Sequence, residues 1–232
     1  KPTGLRRWLT TVDHRDVGVL YLVFGSASGL LGALDAMMLR TDSLSPRPGV
    51  WGTETYDALF TTHGLTMLFL FAGPVIFGLG NYLVPILVGA DEMAFPRVNA
   101  VGFWVLPPAG VLMRAGIIAD LLGVSGMGPP AIGWTMYPPL SIALSNPDID
   151  LLLLGLHLSG MGTVMAGINF VVTIIASRTV PWDELDIFSW TMLVTGGLVV
   201  FAFPVLGSAI LMLLADRNVG TTFFTTPGGG PL

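Results

Sequence analysis

Two of the three histidines in this chain fall within long apolar runs: His63 in TTHGLTMLFLF and His157 in LLGLHLSGMG. An imidazole at membrane depth is costly unless satisfied, which makes each of them a functional candidate. Neutral imidazole is also the usual protein ligand to haem iron. His63 therefore reads either as an axial ligand held between helices or as an interhelical hydrogen bond, and residue type alone leaves both open. His14, in DHRD, precedes the first apolar run and reads as a headgroup-level or loop residue. Arg40, where the first run ends, suits two roles. It could reach an acidic or carbonyl group of a cofactor, or simply snorkel to the interface.

A second set of candidates is polar but uncharged. Ser159 and Thr163 are four residues apart, as are Asn169 and Thr173, so each pair shares a helix face. Asn81 and Asn99 add amides to neighbouring runs. Such groups can hold a file of waters that conducts protons, or act as glue between helices. Gly64, Gly73, Gly78 and Gly80 leave room for either a planar group or a closely packed helix.

The elements that must position these residues are membrane helices. Of 232 residues, 53% are hydrophobic and 11% charged, with a mean hydropathy of +0.76. Soluble domains carry about 25% charged residues, so this chain cannot cover an ordinary wet surface. Its 30 glycines and 17 prolines sit within apolar runs, where membrane helices tolerate them. The absence of cysteine excludes disulfides, zinc–thiolate sites and cysteine-ligated clusters. The net charge of −5 comes without any basic cluster, so no nucleic-acid partner is indicated.

A helix needs about 20 apolar residues to cross the hydrocarbon core. Five segments qualify: 17–39, 63–88, 100–123, 151–177 and 187–214. The third is interrupted by Pro107, Pro108, Arg114 and Asp120, which should face the bundle interior or an interface. The chain is thus expected to be a single all-α transmembrane domain over 1–232. Lys1, Arg6, Arg7, Arg15, Arg97 and Arg178 fall on one side, and Arg40, Arg47 and Arg217 on the other. The positive-inside rule then places the N-terminus in the cytoplasm. Segment 124–150 reads as an ordered outer loop, and Trp51, Trp134 and Trp182 lie near span ends, where such rings favour the interface.

Several strings together are more specific than any of these features. THGLTMLFLFAGPVIFGLGNYLVP and VGADEMAFPRVNAVGFWVLPP resemble the second-to-third helix region of subunit I of the haem-copper terminal oxidases. GWTMYPPL, LHLSGMGTVMAGINFVVTI and PVLGSAILMLLADRNVGTTFF follow in that family's order, and DHRDVGVLYLVFG resembles its first helix. The resemblance covers essentially the whole chain. It implies the first five helices of a twelve-helix bundle.

The same resemblance assigns roles. His63 takes the position of an axial ligand to the low-spin haem, and Arg40 that of an arginine contacting a substituent of this haem. Trp134 and Tyr137 match outer-loop residues near the haem edge. Asn81, Asn99, Thr163 and Asn169 fall on or beside a proton-uptake route that begins at a carboxylate in the second-to-third helix loop. There the sequence departs from the family, with Asp91 and Glu92 both preceding Met93 where a single Asp is usual. Register favours Glu92 and residue type Asp91. Ala100 and Gly102 depart from common asparagine and serine positions.

The implied activity is reduction of dioxygen to water coupled to proton translocation, with oxidase subunits II and III as partners. The high-spin haem and copper of that reaction need histidines on later helices, and none follows His157. The chain is therefore expected to be an N-terminal piece of the subunit, holding one ligand to a low-spin haem of unspecified type. Quinol-using relatives carry an aspartate late in the first helix, matched by Asp35. Leu31, Thr55 and Ala58 depart from that pattern. The donor expected is accordingly cytochrome c or a small copper protein. A prokaryotic plasma membrane is the expected location. Readings of a different class are a proton channel or transporter, and a structural membrane fragment without cofactor.

Overall fold

The computed structural model describes residues 4–44, 49–124 and 128–225. Among the described residues, five helices are long and apolar enough to cross a membrane: His14–Asp42, Thr53–Val88, Pro96–Leu121, Pro147–Ser177 and Ile187–Asn218. Among the described residues there is no strand. A short helix, Leu5–Thr10, precedes the first span. The end of the bundle that carries this helix and the 89–95 loop is termed the inner end, and the opposite one the outer end.

These helices outrun the apolar stretches because polar residues cap them. The Asp13 side chain accepts from the N–H groups of Arg15 and Asp16, Asn146 from Asp148, and Asp186 from Ser189. Each cap satisfies orphan donors of a first turn, so a helix can begin before hydrophobicity does. The largest difference from the sequence reading is in the second span, which starts at Thr53 rather than at 63. Residues 53–62 are mixed in polarity, and their helix leans on the first and third spans. His63 consequently lies ten residues inside the helix, about 15 Å from its outer end at 1.5 Å per residue. It does not open the span.

The prolines of the third span cost little. Pro107 and Pro108 stand in the first turn of Leu106–Leu121, where the missing N–H would have no partner anyway. In the second span, Pro74 cannot donate to the carbonyl four residues back. Just before it the ladder widens into a π-helical segment, Thr66–Ala72, closed by the bond from Gly73 N–H to the Leu68 carbonyl. Such wide turns occur often at functional sites.

Glycines let the helices approach. A Cβ on Gly18 would stand 2.9 Å from the Gly78 carbonyl, and one on Gly32 would stand 2.6 Å from Met67 Sδ, so the first span lies flat on the second. Gly155 and Gly162 meet the backbone of the third span at Ala109 and Gly102, and Gly167 meets Gly196 of the fifth. The fourth span is central, with half of its most apolar window buried, whereas the fifth has only 17% of its window buried. Phe201, Val205 and Leu198 of the fifth are largely exposed, an apolar face suited to lipid.

A sharp contrast in tolerance follows. Gly155→Leu would place Cβ 2.7 Å from the Ala109 carbonyl and 2.9 Å from the Met113 nitrogen, both backbone atoms that cannot swing away. Gly197, in the fifth span, has nothing within 4 Å of the same position. Gly155→Leu is expected to destabilise by at least the ~1–3 kcal/mol typical of overpacking, and Gly197→Leu to be near neutral. Thermal melting of the detergent-solubilised protein measures the difference.

Candidate functional site

The polar residues of the bundle gather at two levels. At the outer level, the His63 Nδ1 lies 2.8 Å from the Gly32 carbonyl of the first span. A carbonyl only accepts, so Nδ1 carries the proton and Nε2 keeps its lone pair free. Ligating histidines are usually held this way, with the second nitrogen donating to a carbonyl that fixes ring and tautomer. A half-buried, oriented imidazole with an available Nε2 fits a haem iron.

The outer loop closes over this region. Gly133 N–H donates to Thr61 Oγ1 at 2.9 Å, and a Cβ on Gly64 would stand 2.9 Å from that of Trp134. Gly64 is therefore small so that the loop can sit on the second span beside His63. Gly78 and Gly80 serve close packing of helices and side chains instead, against the first span and against Phe170 and Met192. Trp134 and Tyr137 remain exposed. Arg40 is exposed at the outer end of the first span, eight residues beyond Gly32.

One turn from His63, three spans converge on a buried ion pair. Both Asp35 oxygens accept from Arg114, Nη1 to Oδ2 and Nη2 to Oδ1, each at 2.8 Å. Arg114 Nη1 also donates to Thr66 Oγ1 at 3.0 Å. Residue exposures are 3% for Asp35, 9% for Arg114 and 1% for Thr66. The arginine that interrupts the third span thus faces inward and finds its counter-charge on the first.

The inner level centres on the 89–95 loop. Glu92 Oε1 accepts from His14 N–H at 2.9 Å and from Met93 N–H at 3.0 Å. His14 Nδ1 lies 2.9 Å from the Asn81 carbonyl. The sequence reading placed His14 at headgroup level or in a loop. It is the first residue of the first span, at the inner end, and is packed within the protein at 4% exposure. The carboxylates beside it in sequence are taken up elsewhere: Asp13 caps the helix, and Asp16 is paired with Arg7. Partial burial pushes the Glu92 carboxyl above its ordinary value, opposed by the two backbone donors and by His14. Asp91, beside it, is exposed.

Asn169 binds the loop through both ends of its amide. Phe95 N–H donates to Oδ1 at 2.8 Å, and Nδ2 donates to the Phe95 carbonyl at 3.0 Å. Thr173 accepts from Ala94 N–H at 2.9 Å. Asn169 and Thr173 therefore hold the loop to the fourth span. Thr163 donates to the Ser159 carbonyl of its own helix, and Ser159 reaches the Phe69 carbonyl at 3.5 Å.

Other polar atoms at this level are buried without a protein partner: Asn81 Oδ1, both ends of the Asn99 amide, and the Tyr21 hydroxyl. Asn99 and Gly102 share a face of the third span, and a Cβ on Gly102 would meet the Tyr21 hydroxyl at 3.3 Å. Buried polar groups in native proteins are nearly always satisfied. Unpartnered amide and phenol groups on adjoining spans suit a short file of water.

Sequence reasoning missed Gly32, Thr61, Tyr21 and the partnership of Arg114 with Asp35. Each matters through a contact made across helices more than 30 residues apart, or through backbone atoms, and neither leaves a local signal. His14 was visible, but its burial against Glu92 and Asn81 was not.

Five spans, an oriented imidazole at depth and a polar inner mouth define a multi-pass membrane protein with an interior built around side-chain chemistry. Residues 16–232 match the family described as Cytochrome C and Quinol oxidase polypeptide I. The chain belongs to that family. It is 48% identical over its full length to "Cytochrome c oxidase polypeptide 1" of Halobacterium salinarum, covering 39% of that protein. It is 40% identical to "Cytochrome c oxidase subunit 1" of Bacillus subtilis, over 96% of this chain and 35% of the relative. It is 39% identical to "Probable quinol oxidase subunit 1" of Staphylococcus epidermidis, over 97% of this chain and 33% of the relative. The chain thus spans between a third and two fifths of these relatives. Membership places it among the haem-copper oxidase subunits I, a family whose cofactors are haem and copper.

Proposed function

We propose that this chain supplies the first five spans of the catalytic subunit of a terminal oxidase that reduces dioxygen to water and translocates protons. The observation that carries the reading is the geometry of His63. Its Nδ1 is committed to the Gly32 carbonyl and its Nε2 is left free, about 15 Å inside a membrane helix. A low-spin haem bound there supplies one-electron transfer. This chain's residues orient the imidazole through Gly32, hold the Gly133–Trp134 loop over it through Thr61 and Gly64, and place Arg40 and Tyr137 at the outer rim. Arg40 would contact a haem substituent, and Trp134 and Tyr137 the haem edge. The high-spin haem and copper would lie in the remainder of the subunit, with subunits II and III as neighbours.

Protons would enter at the inner end. Glu92 is the better placed of the two loop carboxyls, being half-buried and joined through the His14 residue to Asn81, whereas Asp91 faces solvent. Asn81, Asn99 and Tyr21 would then carry a water file, with Asn169 fixing the loop and Thr163 further along the fourth span. The N-terminus would lie on the cytoplasmic side of a prokaryotic plasma membrane.

Cytochrome c or a small copper protein is the donor this site favours over a quinol. Asp35, the residue in common with quinol-using relatives, has both oxygens engaged by Arg114 and is 3% exposed. It has no free face for a quinol hydroxyl. Oxygen uptake by membranes containing the complete oxidase, driven in turn by a reduced cytochrome c, a reduced small copper protein and a short-chain quinol, tests this. Uptake is expected with one of the proteins and not with the quinol. Uptake sustained by quinol in a membrane stripped of soluble donors would overturn the assignment.

A further inference from the structure

We infer that the Asp35–Arg114–Thr66 cluster is a positioning device for His63, setting the strength of its bond to the Gly32 carbonyl and hence the redox potential of the centre it ligates. The inference rests on the reading of His63 as a haem ligand. Its starting point is that the cluster is poorly explained by stability alone. A buried ion pair gains little over apolar residues of similar volume, because removing both charges from water costs about what their attraction returns. Such pairs are best attested where they fix register between elements.

Register is what this one fixes. Asp35 lies three residues after Gly32 on the first span, and Thr66 three after His63 on the second. Because the two spans run antiparallel, Asp35 lies one turn outward of Gly32 and Thr66 one turn inward of His63. The His63–Gly32 bond and the link from Thr66 through Arg114 to Asp35 therefore cross the same stretch of the interface in opposite senses. The two helices touch directly where these links cross. A Cβ on Gly32 would lie 2.6 Å from Met67 Sδ and 3.4 Å from the Thr66 methyl.

The π-helical segment makes the second link necessary. It begins at Thr66, so the regular ladder that carries His63 ends one turn beyond it. A helix that changes pitch can slide or rotate at the junction, and nothing in the apolar packing of Leu65 and Leu70 has the direction to stop it. The Arg114 fork does have direction. Its two parallel bonds to Asp35 fix the guanidinium plane, and the third bond pins the hydroxyl at the first residue of the wide turn. Arg114 itself comes from a third helix, so the ring height of His63 is referenced to the first and third spans together.

A firm Nδ1–H to carbonyl bond makes the imidazole a more basic ligand, which favours the oxidised metal. Loosening the register weakens that bond and should raise the potential. In the complete oxidase, Asp35→Leu with Arg114→Leu removes both charges and leaves neither unpaired. This double variant is expected to keep its low-spin haem but shift that centre's one-electron equilibrium about tenfold toward reduction, the lower end of what outer hydrogen-bond partners change, or about 59 mV. Its low-spin electron paramagnetic resonance signal should move as well. Thr66→Val leaves the ion pair intact, removes only the tether to the second span, and should shift both readouts in the same direction by less. It also decides the matter if the double variant does not assemble.

An unchanged potential and resonance signal in Thr66→Val, or in an assembled double variant, would make the cluster a structural clip only and overturn the inference. Failure of the underlying reading looks different. In that case His63→Ala would leave the low-spin centre in place, whatever the cluster variants do.

Discussion

Replacing His63 by alanine in the complete oxidase is expected to abolish the low-spin haem band of the reduced-minus-oxidised spectrum while leaving the high-spin signal. The effect should be all or none, because an axial ligand lost from an apolar interior has no water or neighbouring side chain to replace it. Among the three histidines, His14 is committed at the inner end, and His157 lies on the fourth span facing Gly207 of the fifth. Neither can substitute. The helical framework should survive, since His63 is only half-buried and its one bond within the protein is to a backbone carbonyl. Circular dichroism of the variant checks that point. A low-spin band of wild-type size in His63→Ala would remove the ligand assignment and leave the oxidase reading resting on family membership alone.

The second large effect is expected at Glu92. Glu92→Gln keeps an oxygen to accept from His14 and Met93 N–H groups, so the loop geometry should persist. What it loses is a proton to release. If Glu92 is the uptake group, turnover measured as oxygen consumption should fall on the order of 100-fold, the lower end of what a positioned proton-transfer group contributes. Asp91→Asn, altering an exposed neighbour, should stay within about twofold, as surface changes usually do. The reverse ranking would make Asp91 the entrance.

The same substitution carries a pH signature. Burial raises the Glu92 carboxyl above the ordinary 4.5, so the folded protein holds this proton more tightly than the unfolded chain. The stabilisation is fully present below the ordinary value and is lost as pH rises through the raised one. Glutamine has no proton to lose. The melting temperature of Glu92→Gln relative to wild type should therefore climb with pH across that window, then level off. A flat difference would show that Glu92 titrates as it would in water.

Much of this architecture was legible because membranes impose coarse rules. Five apolar runs of sufficient length, with few charges, left no alternative to five helices once backbone hydrogen bonds had to be met within each segment. His63 stood out as a candidate because an imidazole in such a run is expensive, and motif order narrowed its role. Arg114 was expected to face the bundle interior or an interface, for the same reason of cost, and it faces inward.

The sequence could not say where these residues meet. Helix starts were misjudged where polar residues such as Asp13, Asn146 and the 53–62 segment carry helix beyond the hydrophobic stretch, since capping and neighbouring helices decide termini as much as hydropathy does. His14 lies beside three charged residues in sequence, yet it is buried, because Asp13 is engaged by a cap, Asp16 by Arg7, and Arg15 points outward. Asp35 and Arg114 lie 79 positions apart, and nothing local in either span announces the partner. Gly32 binds His63 through its carbonyl, which every residue possesses, so that contact leaves no mark in the sequence. Composition and period determine which segments enter the membrane and which faces are apolar. Pairing of charges, choice of carbonyl and depth of a ligand depend on the relative rotation and height of helices, and these are set only when the glycine faces close and side chains from three spans share one space.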